Sequence, residues 1–561
     1  MTDWARPSVL RLILAAVILH LALIQPNHPA AMTWQALWLF PLELPVIMLA
    51  LIALSGKWAM LLRVLLTACL TLVTVLKTAD FGMFTALARG FNPVADLVLI
   101  DAGVRLLAGS IGMVPALLTA LAAVLAVCAI GWLIWWATGV LAKVTLPRRG
   151  AAAAGAGAAL FAVLAIAEIG MALGRWSLPV APPGAAFTAR VGYERVQLVR
   201  QTITDLRAFR IAARQDPFAE RTGLLDRLTD ESANAANRDV LVVFVESYGR
   251  TSLETPFYAG THRATLLAAE ARLRDAGYAM ASGLLVAPTR GGQSWLSHAT
   301  FANGLWINDQ TRYGAMLASG RETLFHIAAR SGFRTAAVMP QITLDWPESE
   351  VMGFDTVLAA ADLGYRGAPF NWVTMPDQFT FTALDRLVRT REEGPVFAQL
   401  ALGSSHAPWT PVPDLVPWDE VGDGRIFNDM AAAGDPPEMV WRDRDRVREQ
   451  YRKAIDYALR SVFDYAALHA DAPPLMIILG DHQAADFVAL EDRPDVPIHI
   501  IGPPDLVAQL KGWGWQEGLI PDPDVAPMAM DRMRDLLIET FTTPAALPPE
   551  VLPVSPREAV E

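Results

Sequence analysis

Cysteine is almost absent: Cys69 and Cys128 are the only two in 561 residues, and each lies inside an apolar run. That excludes a disulfide framework, and a cysteine-built zinc site, in the polar part of the chain. Charge is scarce as well, 18% of residues against 53% hydrophobic, with a mean hydropathy of +0.32. The chain is too apolar for an ordinary soluble enzyme and too polar to consist of spanning helices alone. Basic residues are outnumbered throughout the later part: residues 1–175 hold 11 Lys+Arg and 6 Asp+Glu, the remainder 35 and 51. Nucleic acid needs a basic footprint, so that class of partner is excluded. No internal repeat is present.

What is there begins with five apolar runs, near 8–26, 35–54, 59–77, 114–138 and 151–173. Each approaches the ~20 residues that cross a hydrocarbon core at ~1.5 Å per residue. The first lacks a small-residue cleavage site and leads into further spans, so it reads as an anchor and not a removable signal. Arg6, Arg11, Lys57, Arg63, Lys143, Arg148 and Arg149 fall at the N-terminus and in the second and fourth loops, whereas the first loop, "PNHPAAMTW", has none. The positive-inside rule then puts the N-terminus in the cytoplasm and everything after about residue 175 outside, in the periplasm of a bacterium with two membranes. The segment 82–112 places apolar residues at helical spacing with Asp96, Asp101 and Arg105 between them, and reads as an external amphipathic helix on the bilayer. His20, Glu43 and Glu168 stand alone in separate spans, with no polar chain joining them.

Residues 176–238 form a charged helical linker. From 239 short apolar strands alternate with helical stretches: strands at 239–246, 278–287, 334–339, 396–402, 475–479 and 496–501, helices at 262–275, 322–331, 376–390 and 445–470. This alternation predicts an α/β domain over 239–545 with a mostly parallel central sheet. The Pro-rich tail 546–561 is expected to be disordered.

In such sheets chemistry collects beyond the carboxyl ends of the strands. "VLVVFVES" ends on Glu246 and Ser247; the second strand leads into "PTRGGQSWLSH", the fourth into "GSSHAPW" with His406, the fifth into "GDHQ" with Asp481 and His482. Glu246, Asp481 and His482 supply two carboxylates and an imidazole, a donor set suited to Zn²⁺ or Mn²⁺. Three protein ligands leave a position open for a serine or threonine oxygen that attacks phosphorus. His406 is a candidate to bind a phosphoryl oxygen or protonate the leaving group.

With five spans, an outward linker, "FVES", a Gly-rich hydroxyl loop, "SSHAPW" and "LGDH", the chain resembles the membrane-bound alkaline phosphatase/sulfatase-like superfamily, in particular lipoteichoic acid synthases, phosphoglycerol transferases and lipid A phosphoethanolamine transferases. The resemblance implies a five-helix transmembrane bundle followed by a sulfatase-like α/β domain. It implies one divalent ion, Mn²⁺ or Zn²⁺ with Mg²⁺ possible, held by Glu246, Ser294, Asp481 and His482. It puts the nucleophile on Ser294, where these transferases usually carry threonine, with Thr289, Ser297 and Thr300 as neighbouring hydroxyls and Thr289 the alternative. It implies His406 on the substrate side, with Arg290, Trp346, His298 and His499 as further substrate contacts. The implied reaction moves phosphoglycerol or phosphoethanolamine from phosphatidylglycerol or phosphatidylethanolamine, through a covalent serine intermediate, to an envelope glycan or lipid.

Two departures bear on this. The region "QITLDWPESE" offers Trp346 without the arginine that accompanies it in the synthases; Asp345 or Glu348 stands where an amine-bearing head group would want an acid. "VAPTRGG" has no cysteine or serine in place for formylglycine formation, which excludes a sulfatase of the usual kind. A membrane-anchored phosphodiesterase or phosphatase, and a non-catalytic envelope scaffold or sensor, are the alternative readings.

Overall fold

A computed structural model describes residues 7–87, 89–97, 99–229, 238–389 and 394–547. From residue 548 the expected disordered tail lies outside the described residues, as do 230–237 of the linker. The chain divides into two compact units, Met1–Asp205 and Leu206–Glu561.

The first unit is helical: α1 (Val9–Ile24), α2 (Glu43–Ala53), α3 (Gly56–Leu87), α4 (Leu99–Ile111), α5 (Met113–Leu141), α6 (Arg148–Ala172) and α7 (Phe187–Ala213), the last running through the division. Apolar helices stand at all five expected positions, but among the described residues three, α3, α5 and α6, are long and apolar enough to cross a membrane. The run at 35–54 is not one helix. Pro41 interrupts it, Trp34–Trp38 forms a separate 3₁₀ turn, and α2 keeps 11 residues, ~16 Å of rise, with Pro45 in its first turn. The third span runs ten residues past its expected end, because its polar groups find partners. Lys77 Nζ donates to Ala22 O, Leu23 O and Thr188 Oγ1 at 3.3, 3.0 and 2.6 Å, satisfying carbonyls at the C-terminus of α1. Asp80 pairs with Arg195 at 2.6 Å. The amphipathic segment is accordingly shorter than 82–112, a helix over Leu99–Ile111.

Glu43 and Glu168 are not isolated either. Glu43 Oε1 accepts from Ala189 N and Glu168 Oε2 from Ala186 N, both at 2.9 Å, so α2 and α6 place these carboxylates on the N-terminus of α7, where unpaired N–H groups favour negative charge. His20 Nε2 donates to Leu37 O at 3.2 Å, a local bond.

The second unit is built on β1 (Val240–Val245), β2 (Ala279–Val286), β3 (Arg334–Met339), β4 (Thr356–Ala359), β5 (Val396–Leu402), β6 (Leu475–Gly480), β7 (Asp495–Gly502), β8 (Gln516–Glu517) and β9 (Met528–Ala529). Their order is β4-β3-β5-β1-β6-β7-β2-β8, with β9 on β2. The first five in that order are parallel, while β7 runs against both its neighbours. The sheet is thus α/β and mostly parallel, as expected. Helices α8 (Pro256–Asp275), α9 (Ser294–Asn303), α10 (Asp377–Leu387) and α11 (Arg444–Leu468) connect the strands. β1 is apolar along its whole length and every residue is buried, the pattern of a strand covered on both faces. Register sets up the site: Val245 pairs with Gly480 of β6 and Leu402 of β5, so Glu246 emerges beside Asp481 on one side and Gly403 on the other.

Candidate functional site

The chain must turn sharply where β1 ends. Ser247 takes φ 58°, a left-handed conformation that costs a non-glycine residue ~1 kcal/mol or more. Main-chain bonds hold it there: Ser247 N donates to Asp481 Oδ1 at 2.8 Å, and Tyr451 OH donates to Ser247 O at 2.9 Å. Gly480 admits this crossing because a Cβ there would sit 1.9 Å from Tyr248 O. Ser405 Oγ, one strand over, donates to the Glu246 carbonyl at 2.7 Å.

The loop that leads to Ser294 is pinned to the same edge. Gly291 N donates to Gln483 O at 2.8 Å, and Gln293 takes φ 67° immediately before α9. Ser294 therefore opens that helix with its Oγ donating to Glu246 Oε2 at 2.9 Å. Thr289 instead bonds Ser297 Oγ at 3.3 Å, and Thr300 Oγ1 bonds Ile307 O. Of the four hydroxyls, Ser294 is the one the fold brings to Glu246.

Glu246, Asp481 and His482 offer one ligand atom each, all within 4.8 Å of one another, a group that could hold a metal ion. Asp481 Oδ1 accepts from Ser247 N and His482 N. His482 Nδ1 donates to Gln483 O at 3.0 Å, which leaves Nε2 as the nitrogen free to bind a cation. That Nε2 is buried, 3.1 Å from Glu246 Oε1, yet makes no hydrogen bond of good geometry. Charge tells the same story. Burial and the Glu246 charge push Asp481 up to about 8. Burial draws His482 down, but Asp481 and Glu246 outweigh it and hold it up at about 9. Burial also opposes the Glu246 charge, while His482, with His406 further off, keeps that carboxyl well below its usual range. A buried and a half-buried carboxylate this close require positive charge, in the form of protons or of a cation. The donor set, the orphaned Nε2 and this charge balance fit a divalent ion.

The other expected site residues divide. His406 Nδ1 donates to Ala407 O at 2.6 Å, so its Nε2 is the group available to a substrate. His298, one turn after Ser294, packs its ring 4.0 Å from that of Phe244, and its buried Nε2 makes no hydrogen bond; burial draws it down to about 4, so it stands neutral beside Glu246 and His482. Arg290 Nη2 pairs with Asp486 and donates to Glu491 O at 3.2 Å, tying the loop before Ser294 to the segment after Asp481 and His482. Trp346 packs in the apolar layer with Phe354. His499 lies inside the sheet on β7, fully buried, with Nε2 3.1 Å from Tyr248 OH and Nδ1 2.8 Å from Ser282 Oγ. Although His499 is near Asp481 in sequence, β7 runs antiparallel to β6 and carries it into the core. Ser405 and Asp377, described below, escaped sequence reasoning; the former lies in "SSHAPW" and its spacing to His406 was the available signal.

An α/β unit with a mostly parallel sheet, and a Glu/Asp/His cluster with a serine at its carboxyl edge, defines a sulfatase-like domain. Residues 238–487, under half of the chain, match the family model described as Sulfatase. Similar solved structures include the lipoteichoic acid synthase LtaP from Listeria monocytogenes (12% identity over 53% of this chain and 70% of that one, TM-score 0.32). They also include the phosphoglycerol transferase GacH of Streptococcus pyogenes in complex with sn-glycerol-1-phosphate (12%, 61% and 82%, TM-score 0.36). A third is the C-terminal periplasmic domain of EcEptC from Escherichia coli in complex with Zn (15%, 49% and 75%, TM-score 0.32). No curated protein sequence matches.

Proposed function

We propose that the protein is a metal-dependent, membrane-embedded transferase that moves a phospho-alcohol group from a phospholipid, through a covalent phosphoserine at Ser294, to an envelope glycan or lipid. The observation that carries the reading is Ser294 Oγ at 2.9 Å from Glu246 Oε2, in a cluster that also holds Asp481 and His482. Three helices fit to cross a membrane, in the same chain, suit a donor drawn from the bilayer. Five crossings with a cytoplasmic N-terminus and a periplasmic catalytic domain over 239–545 complete the proposal.

Glu246, Asp481, His482 and Ser294 would hold the divalent ion, which supplies positive charge that acidifies a hydroxyl and draws electron density from phosphoryl oxygens. Ser294 Oγ gives up its proton to solvent and forms the new P–O bond; the bond from phosphorus to the diacylglycerol oxygen breaks, and His406 Nε2 donates the proton that oxygen needs. In the second half an acceptor hydroxyl gives its proton to His406, attacks phosphorus and releases Ser294.

The test is incubation of the full-length protein with labelled phosphatidylglycerol or phosphatidylethanolamine and Mn²⁺ or Zn²⁺. Diacylglycerol release from one of the two supports the reading and names the head group. No release from either overturns it, and release into water without any acceptor product would make the protein a hydrolase.

A further inference from the structure

Asp377 opens α10 and is fully buried. Its Oδ1 accepts two main-chain N–H groups, Gly403 N and Ser404 N, each at 2.9 Å, and its own N–H donates to Ser404 Oγ at 2.9 Å. Three bonds from one residue thus fix the first two positions beyond β5. The chain goes straight on to the site. Ser405 Oγ holds the carbonyl of Glu246 at 2.7 Å, and His406 N donates back to Gly403 O at 3.0 Å, closing the turn that presents the imidazole. Trp409 Nε1 donates to Ser405 O at 2.7 Å and braces the same turn from behind.

The choice of a carboxylate needs an account. Asp377 Oδ2 is buried and has no hydrogen-bond partner, so half of the group's capacity is desolvated without return. What the charge gains is strength at Oδ1: N–H bonds to an ionised acceptor are shorter and roughly twice as strong as neutral ones. The start of an 11-residue helix is also where a negative charge is best tolerated. A rigid turn is the only thing this arrangement secures, and that turn carries one group to the metal ligand and another toward the substrate.

We infer that Asp377 is a positioning residue of the site: it fixes the turn bearing Ser405 and His406 and, through Ser405, sets the backbone of Glu246 for metal binding. This rests on the reading of Glu246, Asp481 and His482 as the metal site, and it concerns a residue outside that cluster. Full-length protein, with Mn²⁺ as the probe, gives a readout independent of turnover. In Asp377→Ala the Kd for Mn²⁺ should rise about 10–100-fold, the range for losing a group that orients a ligand, with circular dichroism unchanged. Asp377→Asn, whose Oδ1 accepts the same two N–H groups, should recover most of that loss. Ser405→Ala should move Kd the same way without touching the buried carboxylate, and it carries the test should Asp377→Ala fail to fold. Wild-type Mn²⁺ affinity in Ser405→Ala or in a folded Asp377→Ala overturns the inference, as does an Asp377→Asn no better than alanine. A wild type that binds Mn²⁺ but releases no diacylglycerol defeats the transferase reading alone; a wild type that binds no divalent cation overturns both.

Discussion

The hydroxyl of Ser294 donates to Glu246 Oε2 across 2.9 Å, although 48 residues separate the two in the chain. One follows directly on a buried strand and the other is the first residue of a helix, and main-chain bonds to Gln483 and Asp481 hold both turns in place. A hydroxyl so held can do one of two things, attack phosphorus or cap a carboxylate.

Substitution separates the two. If Ser294 is the nucleophile, Ser294→Ala lowers diacylglycerol release by about 10³-fold or more while Mn²⁺ still binds, and Ser294→Thr keeps measurable turnover. Release that survives Ser294→Ala moves the nucleophile elsewhere, with Thr289 the first candidate to replace in turn.

Much of this edge was readable in advance, and the reason is physical. A strand buried on both faces must be apolar at every position, so "VLVVFV" and "LMIILG" announce themselves and mark Glu246 and Asp481 as the places where they end. All six expected strands are present within about two residues of their expected bounds. The strand missed between β3 and β5 is Thr356–Ala359, four residues and half-exposed, and β8 and β9 have two residues each; none is long enough to show a period. Asp377 left no signature because it acts on main-chain N–H groups, which have no sequence. Pro41 was visible within the second apolar run, but hydropathy averaged over a window outweighs it, and the helix that follows is short.

The bonds of His499 bear on a role that sequence proximity had given it. Ser282 Oγ donates to Gly518 O at 2.6 Å, so it receives the Nδ1–H of His499, and Nε2 must accept from Tyr248 OH. Burial draws the ring down to about 3, keeping it neutral. Tyr248→Phe leaves Nε2 buried and unpaired, a loss of about 1–3 kcal/mol. The melting temperature should fall with KM and Mn²⁺ affinity within twofold of wild type. A large change in KM would return His499 to the substrate site.

Topology is open to direct labelling. Cys69 and Cys128 are both exposed on apolar helices, so replacing them by alanine gives a background for single cysteines. Leu146→Cys falls in the basic loop between α5 and α6, and Ala264→Cys on an exposed position of α8. In intact spheroplasts a membrane-impermeant maleimide should reach position 264, and position 146 only after permeabilisation. The opposite pattern inverts the protein in the membrane; labelling of both, or of neither, removes an odd number of crossings between them.

Asp377 also makes a prediction about stability and pH, with a sign that can be worked out. Burial pushes its carboxyl up to about 6, against Ser404 and Gly403, whose bonds pull it down; the ordinary value is 3.8. The folded protein therefore holds this proton more tightly than the unfolded chain. The stability that the proton contributes is fully present below about pH 4 and is lost as pH rises through 6, a difference of about 3 kcal/mol. Other carboxylates titrate in the same range, so the comparison must be with Asp377→Asn, which lacks this one step and keeps the rest. The wild type should gain several degrees in melting temperature relative to Asp377→Asn as pH is lowered from 7 to 4. A difference that stays constant over that range would mean that Asp377 is ionised throughout, and that the turn bearing His406 is held without cost to the fold. A wild type that gains on the variant as pH falls places the cost where the positioning role requires it: at neutral pH, with the carboxylate charged, the protein is less stable than it need be and the turn is held by two charge-assisted bonds.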